Sequence, residues 1–249
     1  MSCGERNVWA VELGLCPYNQ IWSLQEKLVR MRHEGAVPDL LLLVEHEPVV
    51  TVGKGGQAQH ILVSEEELIR RGIALHRVDR GGDVTFHGPG QIVAYPILDL
   101  THHGKDVHLY CRRLEEVGLR VLSDYGLSGQ RVPGLTGVWV GQEKVMAIGV
   151  GVRKWVACHG LALNVNNDLE YFRLIHPCGI QDRGVTSLAC LLKREIALEE
   201  VKERLIFHFA RIFEAKMQRM TEGELRETIH RGRWKGSEAI LAGTKGTQA

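Results

Sequence analysis

Residues 134–165 limit the fold of this chain more than any other stretch. Val138, Val140, Val145, Val150, Val156 and Val165 stand in apolar runs broken only by Gly141-Gln142-Glu143 and by Arg153-Lys154. β-Branched residues suit a pleated, half-buried surface, and both breaks carry turn chemistry, so the spacing predicts a β-meander.

Around that run the period of the apolar residues alternates between strand and helix. Residues 7–13, 40–44, 48–53, 74–78 and 92–98 read as strands. Tyr18, Ile21, Trp22, Gln25, Leu28 and Val29 recur at helical spacing up to Arg32, and Ser64 with Glu67 signals a short capped helix that Gly72 can close. Asp106 can cap a long helix whose inner face carries Leu109, Tyr110, Leu114, Val117, Val121 and Leu122. Beyond Gly184 the chain reads as helical, with Val201, Leu205, Phe209, Ile212 and Phe213 as an apolar stripe and a second capping box at Thr221 and Glu224. No linker interrupts this order. It predicts one α+β domain, residues 1–235, with helices flanking a mixed or antiparallel sheet and a frayed tail at 236–249.

Charge and cysteine content exclude several classes. Lys plus Arg number 31 against 30 Asp plus Glu, so no global field draws the chain to nucleic acid or to an anionic membrane. The start, MSCGERNVWAVELG, resembles neither a signal peptide nor a transit peptide, and no apolar run reaches membrane-spanning length, so a cytoplasmic location is expected. Cys3, Cys16, Cys111, Cys158, Cys178 and Cys190 form no CxxC pair and are expected to be free thiols. With no HExxH and no carboxylate cluster, no metal is expected.

Chemistry concentrates in a few places. Arg80 to Gln91 reads RGGDVTFHGPGQ, and Gly81, Gly82, Gly88 and Gly90 each suggest unusual dihedrals or close backbone approach to a ligand. The run matches neither GxGxxG nor GxxxxGK[ST]. Cys178, in HPCGI, sits where a loop exposes a thiol, which makes it a candidate nucleophile; Cys111 and Cys190 read as buried apolar residues. Lys144 opens the apolar KVMAIGV, so its ammonium either snorkels from a strand end or is held desolvated in a pocket. His87 and His159, each beside a glycine, can polarise a carbonyl, relay a proton or cap a turn. The basic pairs Arg70-Arg71, Arg112-Arg113 and Arg153-Lys154 are either solvated faces or a landing site for an acidic carrier.

Taken together, RGGDVTFHGPGQIVAYPILDL, EHEPVVTVG, TGVWV, KVMAIGV, HGLALNV, PCG and VTSL resemble the lipoyl(octanoyl) transferase family across about residues 7–215. The resemblance implies the fold of the biotin and lipoate protein ligase catalytic domain. It further implies transfer of an octanoyl or lipoyl group from acyl carrier protein to a lysine of lipoyl domains, in 2-oxoacid dehydrogenases and the glycine cleavage H protein. By the same likeness Cys178 carries the acyl thioester and Lys144 is its partner. Arg80, Gly81, Gly82, Asp83, Val84, Thr85, Phe86 and His87, with Ala147, Ile148, Gly149, Gly160, Leu161 and Ala162, then wrap the acyl chain, with His159 in support. No cofactor beyond the carrier's phosphopantetheine is implied, and a monomer is expected. Val50 stands where the family pattern has tyrosine. An ATP-dependent lipoate ligase is the alternative, since such enzymes share the fold and need no cysteine.

Overall fold

A computed structural model describes residues 6–177 and 183–232. In chain order its elements are β1 (Arg6–Cys16), α1 (Tyr18–His33), β2 (Asp39–His46), β3 (Val49–Val52), α2 (Glu65–Arg70), β4 (Ala74–Arg77), β5 (Val84–His87), β6 (Gln91–Ile97), α3 (Val107–Asp124), β7 (Gln130–Val132), β8 (Leu135–Val140), β9 (Glu143–Arg153), β10 (Val156–Asn164), β11 (Gly184–Val185), α4 (Leu188–Leu192), α5 (Leu198–Phe213), β12 (Ala215–Met220) and α6 (Glu222–Arg231). The described residues form an α+β unit built on one large mixed sheet.

That sheet runs β12-β1-β2-β6-β10-β9-β8-β7, with β11 also paired to β9. The antiparallel meander expected for residues 134–165 supplies β8, β9 and β10, and β7 and β6 extend it on either side. β2 shows how the sheet divides the core. Leu41 and Leu43 face α3 and α5, joining Tyr110, Leu114, Val117, Phe209 and Phe213, whereas Leu40 and Leu42 face α1, joining Leu28, Tyr95 and Leu225. A strand buried on both faces reads as an unbroken apolar run because the period-2 alternation has no polar side to show.

The caps follow their sequence signals. The Asp106 carboxylate accepts from the His108 and Leu109 amides at 2.8 and 3.0 Å, and Tyr110, Leu114, Val117, Val121 and Leu122 are buried behind it. Leu109 departs from its assignment to the inner face and is 40% exposed, one position round the helix from Tyr110. Thr221 and Glu224 make the full reciprocal box. At α2, Ser64 accepts from the Glu67 amide while the Glu67 carboxylate turns to Arg70 and Arg71.

Two readings are corrected. The helical reading beyond Gly184 missed β12, which begins after Glu214 adopts a left-handed φ of 52° and ends α5 without a glycine to mark the stop. β12 then pairs parallel with β1, and Lys216, Gln218 and Arg219 blunt it as an edge strand. Among the cysteines, Cys190 is exposed and Cys111 half-buried, so neither is the core residue expected; a five-residue helix and an offset position leave them outside the packed stripe. Cys16, Cys111, Cys158 and Cys190 are free thiols. Among the described residues no helix is long and apolar enough to cross a membrane.

A smaller sheet, β4-β3-β5, carries the glycine loop on its own core of Val50, Val52, Leu68, Phe86 and Phe172. Within the large sheet, the approach of β6 to β10 leaves no room for a side chain at Gly160. A Cβ at Gly160 would stand 2.2 Å from the Ala94 carbonyl oxygen on the neighbouring strand. Gly160→Ala should therefore cost about 3 kcal/mol, the upper end of overpacking, and lower Tm by roughly 6–12 °C in a thermal melt; an unchanged Tm would refute this steric reading.

Candidate functional site

The glycine loop joins three backbones. Gly81 N donates to Val150 O on β9 at 2.8 Å, Lys54 N to Arg80 O at 2.9 Å, and Gly53 N to Asp83 O at 3.0 Å. A Cβ at Gly53 would lie 2.4 Å from Gly82 O, and one at Gly149 would lie 3.0 Å from Gly81 O. Gly82 and Gly90 hold φ of 81°, and a Cβ at Gly88 would strike the Phe86 ring at 2.8 Å. Gly81 alone has ordinary space and no unusual dihedral. The glycines thus let loop and strands abut each other, a demand the sequence does not separate from room for a ligand.

Arg80 clamps the loop from below. Its buried guanidinium donates from Nη2 to Thr51 O and Oγ1 at 2.7 and 2.9 Å and from Nη1 to Gly81 O at 3.0 Å. Above it opens a narrow cleft of about 40 Å³. Arg80, Gly82, Asp83, Val84, Thr85 and His87 form one wall, and Ala147, Ile148, Gly149, Gly160, Leu161 and Ala162 the other. The second wall is a strand pair in register, with Ala147 opposite Ala162, Ile148 opposite Leu161 and Gly149 opposite Gly160. Phe86 does not line it: its ring packs on Tyr171 at 4.7 Å in the smaller core. Nor does Gly81.

Tyr18 and Tyr95, which the sequence offered only as helix and strand residues, complete the lining together with His159. Tyr18 stacks on His87 with centroids 6.1 Å apart, and the Tyr95 hydroxyl meets His46 Nε2 at 2.8 Å. Since His46 Nδ1 can only donate to Cys16 O, Nε2 accepts from Tyr95. His87 Nδ1 likewise donates to Gln91 Oε1 at 2.7 Å, because Gln91 Nε2 is used on Phe86 O and Asn164 Oδ1. Burial pushes His87 down to about 3, helped by neighbouring His46, and His46 down to about 4. Both rings are neutral at pH 7, which leaves Arg80 and Asp83 as the charged side chains of this wall. Neither His87 nor His159 caps a turn.

His159 has a left-handed φ of 56°. Its Nε2 meets Asp79 Oδ1 at 2.9 Å and its backbone N donates to Gln25 Oε1 at 2.7 Å. Burial lowers its pKa against the pull of Asp79. Asp79, although burial would raise it, is held at about 2 by hydrogen bonds from His159 and Arg153.

Lys144 is buried, 7% exposed, which answers the question of snorkelling or desolvation in favour of the latter. Its Nζ lies 4.8 Å from the Trp139 ring centroid, and the Arg183 guanidinium lies 5.4 Å from the same ring. A bulge aims it there: Val138 pairs with Met146 but Trp139 with Lys144, leaving Val145 as the extra residue. Gly137, at φ 129°, would place a Cβ 2.6 Å from Met146 O, so its bare backbone lets β8 close on β9 beside the lysine stem. Cys178 lies outside the described residues, as do Cys3 and the tail at 236–249.

Other candidates are accounted for by their neighbours. Arg70 and Arg71 bond Glu67, Arg112 bonds the buried Glu115, and Arg153 bonds Asp79 and Glu26. Asp79, Cys158 and His159 bring three ligand-type atoms within 4.8 Å of one another. They fit a metal poorly, since Asp79 already serves His159 and Arg153 and burial pushes the Cys158 thiol up to about 12.

Residues 17–210 match the lipoyl protein ligase A/B catalytic domain family. An octanoyltransferase of Chloroflexus aggregans is 49% identical, covering 85% of this chain and 97% of its own, and one of Chloroflexus aurantiacus is 52% identical, covering 81% and 92%. Among solved structures, a lipoate-protein ligase A bound with ATP superposes with a TM-score of 0.70 at 20% identity, over 91% of this chain and 93% of the other. The bipartite lipoate protein ligase of Thermoplasma acidophilum gives 0.68 at 20%, over 91% of each chain. At that identity the structural likeness speaks for the fold alone.

Proposed function

The chain belongs to the lipoyl protein ligase A/B catalytic domain family, and from that premise we propose how it works as an acyltransferase that passes octanoyl groups in protein lipoylation. Its acceptor is a lipoyl domain. The donor we assign is octanoyl-acyl carrier protein, with Cys178 as the nucleophile, no further cofactor, and action as a cytoplasmic monomer.

One strand supports this reading. β9 carries Lys144 near one end and the Ala147, Ile148 and Gly149 wall of an apolar cleft further along. Lys144 to Gly149 is about 17 Å at ~3.4 Å per residue, a span that a lysine side chain and an eight-carbon chain fill end to end. Enclosing each methylene contributes about 0.8 kcal/mol, so an octanoyl tail gains several kcal/mol there.

In the first step the Cys178 thiolate attacks the thioester carbonyl, an S–C bond forms, and the phosphopantetheine sulfur leaves and takes up a proton. Cationic Lys144 and Arg183 favour that thiolate. In the second step the target amine attacks the acyl-cysteine, loses a proton and expels the Cys178 sulfur. An amide replaces a thioester, so no nucleotide is consumed. Incubated with octanoyl-acyl carrier protein and no ATP, the protein should gain the mass of one octanoyl group and then lose it to an added lipoyl domain. No mass gain would overturn the acyl-enzyme, and transfer only when ATP and free octanoate are supplied would establish a ligase.

A further inference from the structure

Among the described residues His159 alone lines both the cleft and a second, smaller cavity of about 10 Å³. That cavity is walled chiefly by Trp22, Gln25, Asp79, Cys158 and His159. Cys158 pairs with Gly151, two positions farther from Lys144 than Gly149, so the cavity lies beyond the end of the cleft remote from Lys144. His159 stands between the two.

Its stance is enforced. Ala157 and Leu161 pack on the α3 and α5 side of the sheet, and simple alternation would send residue 159 the same way. The left-handed φ of 56° instead delivers the ring to the α1 side, where Asp79 holds Nε2 and Gln25 holds the backbone amide. A non-glycine residue in that conformation persists only where its surroundings over-determine it. Behind the ring, Trp22 Nε1, Gln25 Nε2 and His159 Nδ1 are buried with no hydrogen-bond partner. All three side chains line the second cavity, whose open surface is nonetheless apolar, so space freed at His159 would continue into room that methylenes can use.

We infer that His159 is the end-stop of the acyl slot, the residue that sets the longest chain this enzyme accepts. The inference rests on the reading that the cleft holds the acyl chain. Asp79 and Gln25 are then positioning residues, which act through the ring they hold.

The test reads binding, so it does not depend on turnover. The wild type and His159→Gly, a substitution suited to the left-handed φ, are melted with octanoate, decanoate and dodecanoate. Octanoate should raise Tm most in the wild type and dodecanoate most in the variant. The decanoyl-to-octanoyl transfer ratio should rise about tenfold or more, as expected when a pocket gains room for added methylenes. The same order of Tm shifts in both proteins, or no shift in the wild type with any of the three, overturns the end-stop. If His159→Gly does not fold, Asp79→Ala, outside the cleft, frees the ring and must move the order the same way; an unchanged order there also overturns it. Absence of octanoyl transfer by the wild type would sink the transferase reading and leave the fatty-acid order to decide this one.

Discussion

Cys178→Ser is expected to take up no octanoyl group from acyl carrier protein and to lower transfer on the order of 10⁴-fold or more, the scale of loss when a covalent nucleophile is removed. A free cysteine with a pKa of about 8.5 is close enough to neutrality for neighbouring cations to make it a thiolate. A serine hydroxyl is not. Serine would offer Lys144 and Arg183 no thiolate to stabilise, and any oxygen ester formed would be a poorer acyl donor than a thioester. Intact-protein mass and an acyl-transfer assay on the same preparations check this. Cys190→Ser, an exposed thiol away from the cleft, is the control and should acylate as the wild type does. Acylation of the Cys178→Ser protein at the wild-type rate would put the nucleophile elsewhere.

The meander was legible because 134–165 is punctuated by turn residues at the hairpin positions, and the same holds for β2, whose unbroken Leu run shows burial on both faces. β12 was not, since Glu214 ends α5 in a left-handed conformation that glycine usually marks. The site divided along the same line. Both walls of the cleft lay in contiguous motifs, but Tyr18 and Tyr95 reach it from α1 and β6 through ring contacts with His46 and His87, pairings between distant segments that no local pattern encodes. Lys144 illustrates both cases. Its place in an apolar strand drew notice to it, whereas its aim depends on a bulge at Val145, beside the close strand approach at Gly137, which only the pairing of β8 with β9 reveals.

Lys144→Met should lower overall transfer by roughly 10²–10⁴-fold, the usual weight of a positioned acid–base group, and, on the proposed pairing, shift alkylation of Cys178 by iodoacetamide to higher pH. Methionine keeps the stem's bulk beside Gly137 and Trp139, so folding should survive and the loss can be assigned to charge. Lys144→Arg then divides the two duties. A guanidinium keeps the positive charge but cannot give up its proton, so it can favour the thiolate yet cannot accept a proton from the incoming amine. If Lys144 works mainly as charge, the arginine variant should acylate and transfer at near wild-type rates. If it works as a base, that variant should acylate readily and stall as an acyl-enzyme, visible as an accumulated octanoyl adduct that a lipoyl domain discharges slowly. Full turnover by Lys144→Met with an unchanged alkylation profile would remove Lys144 from the mechanism.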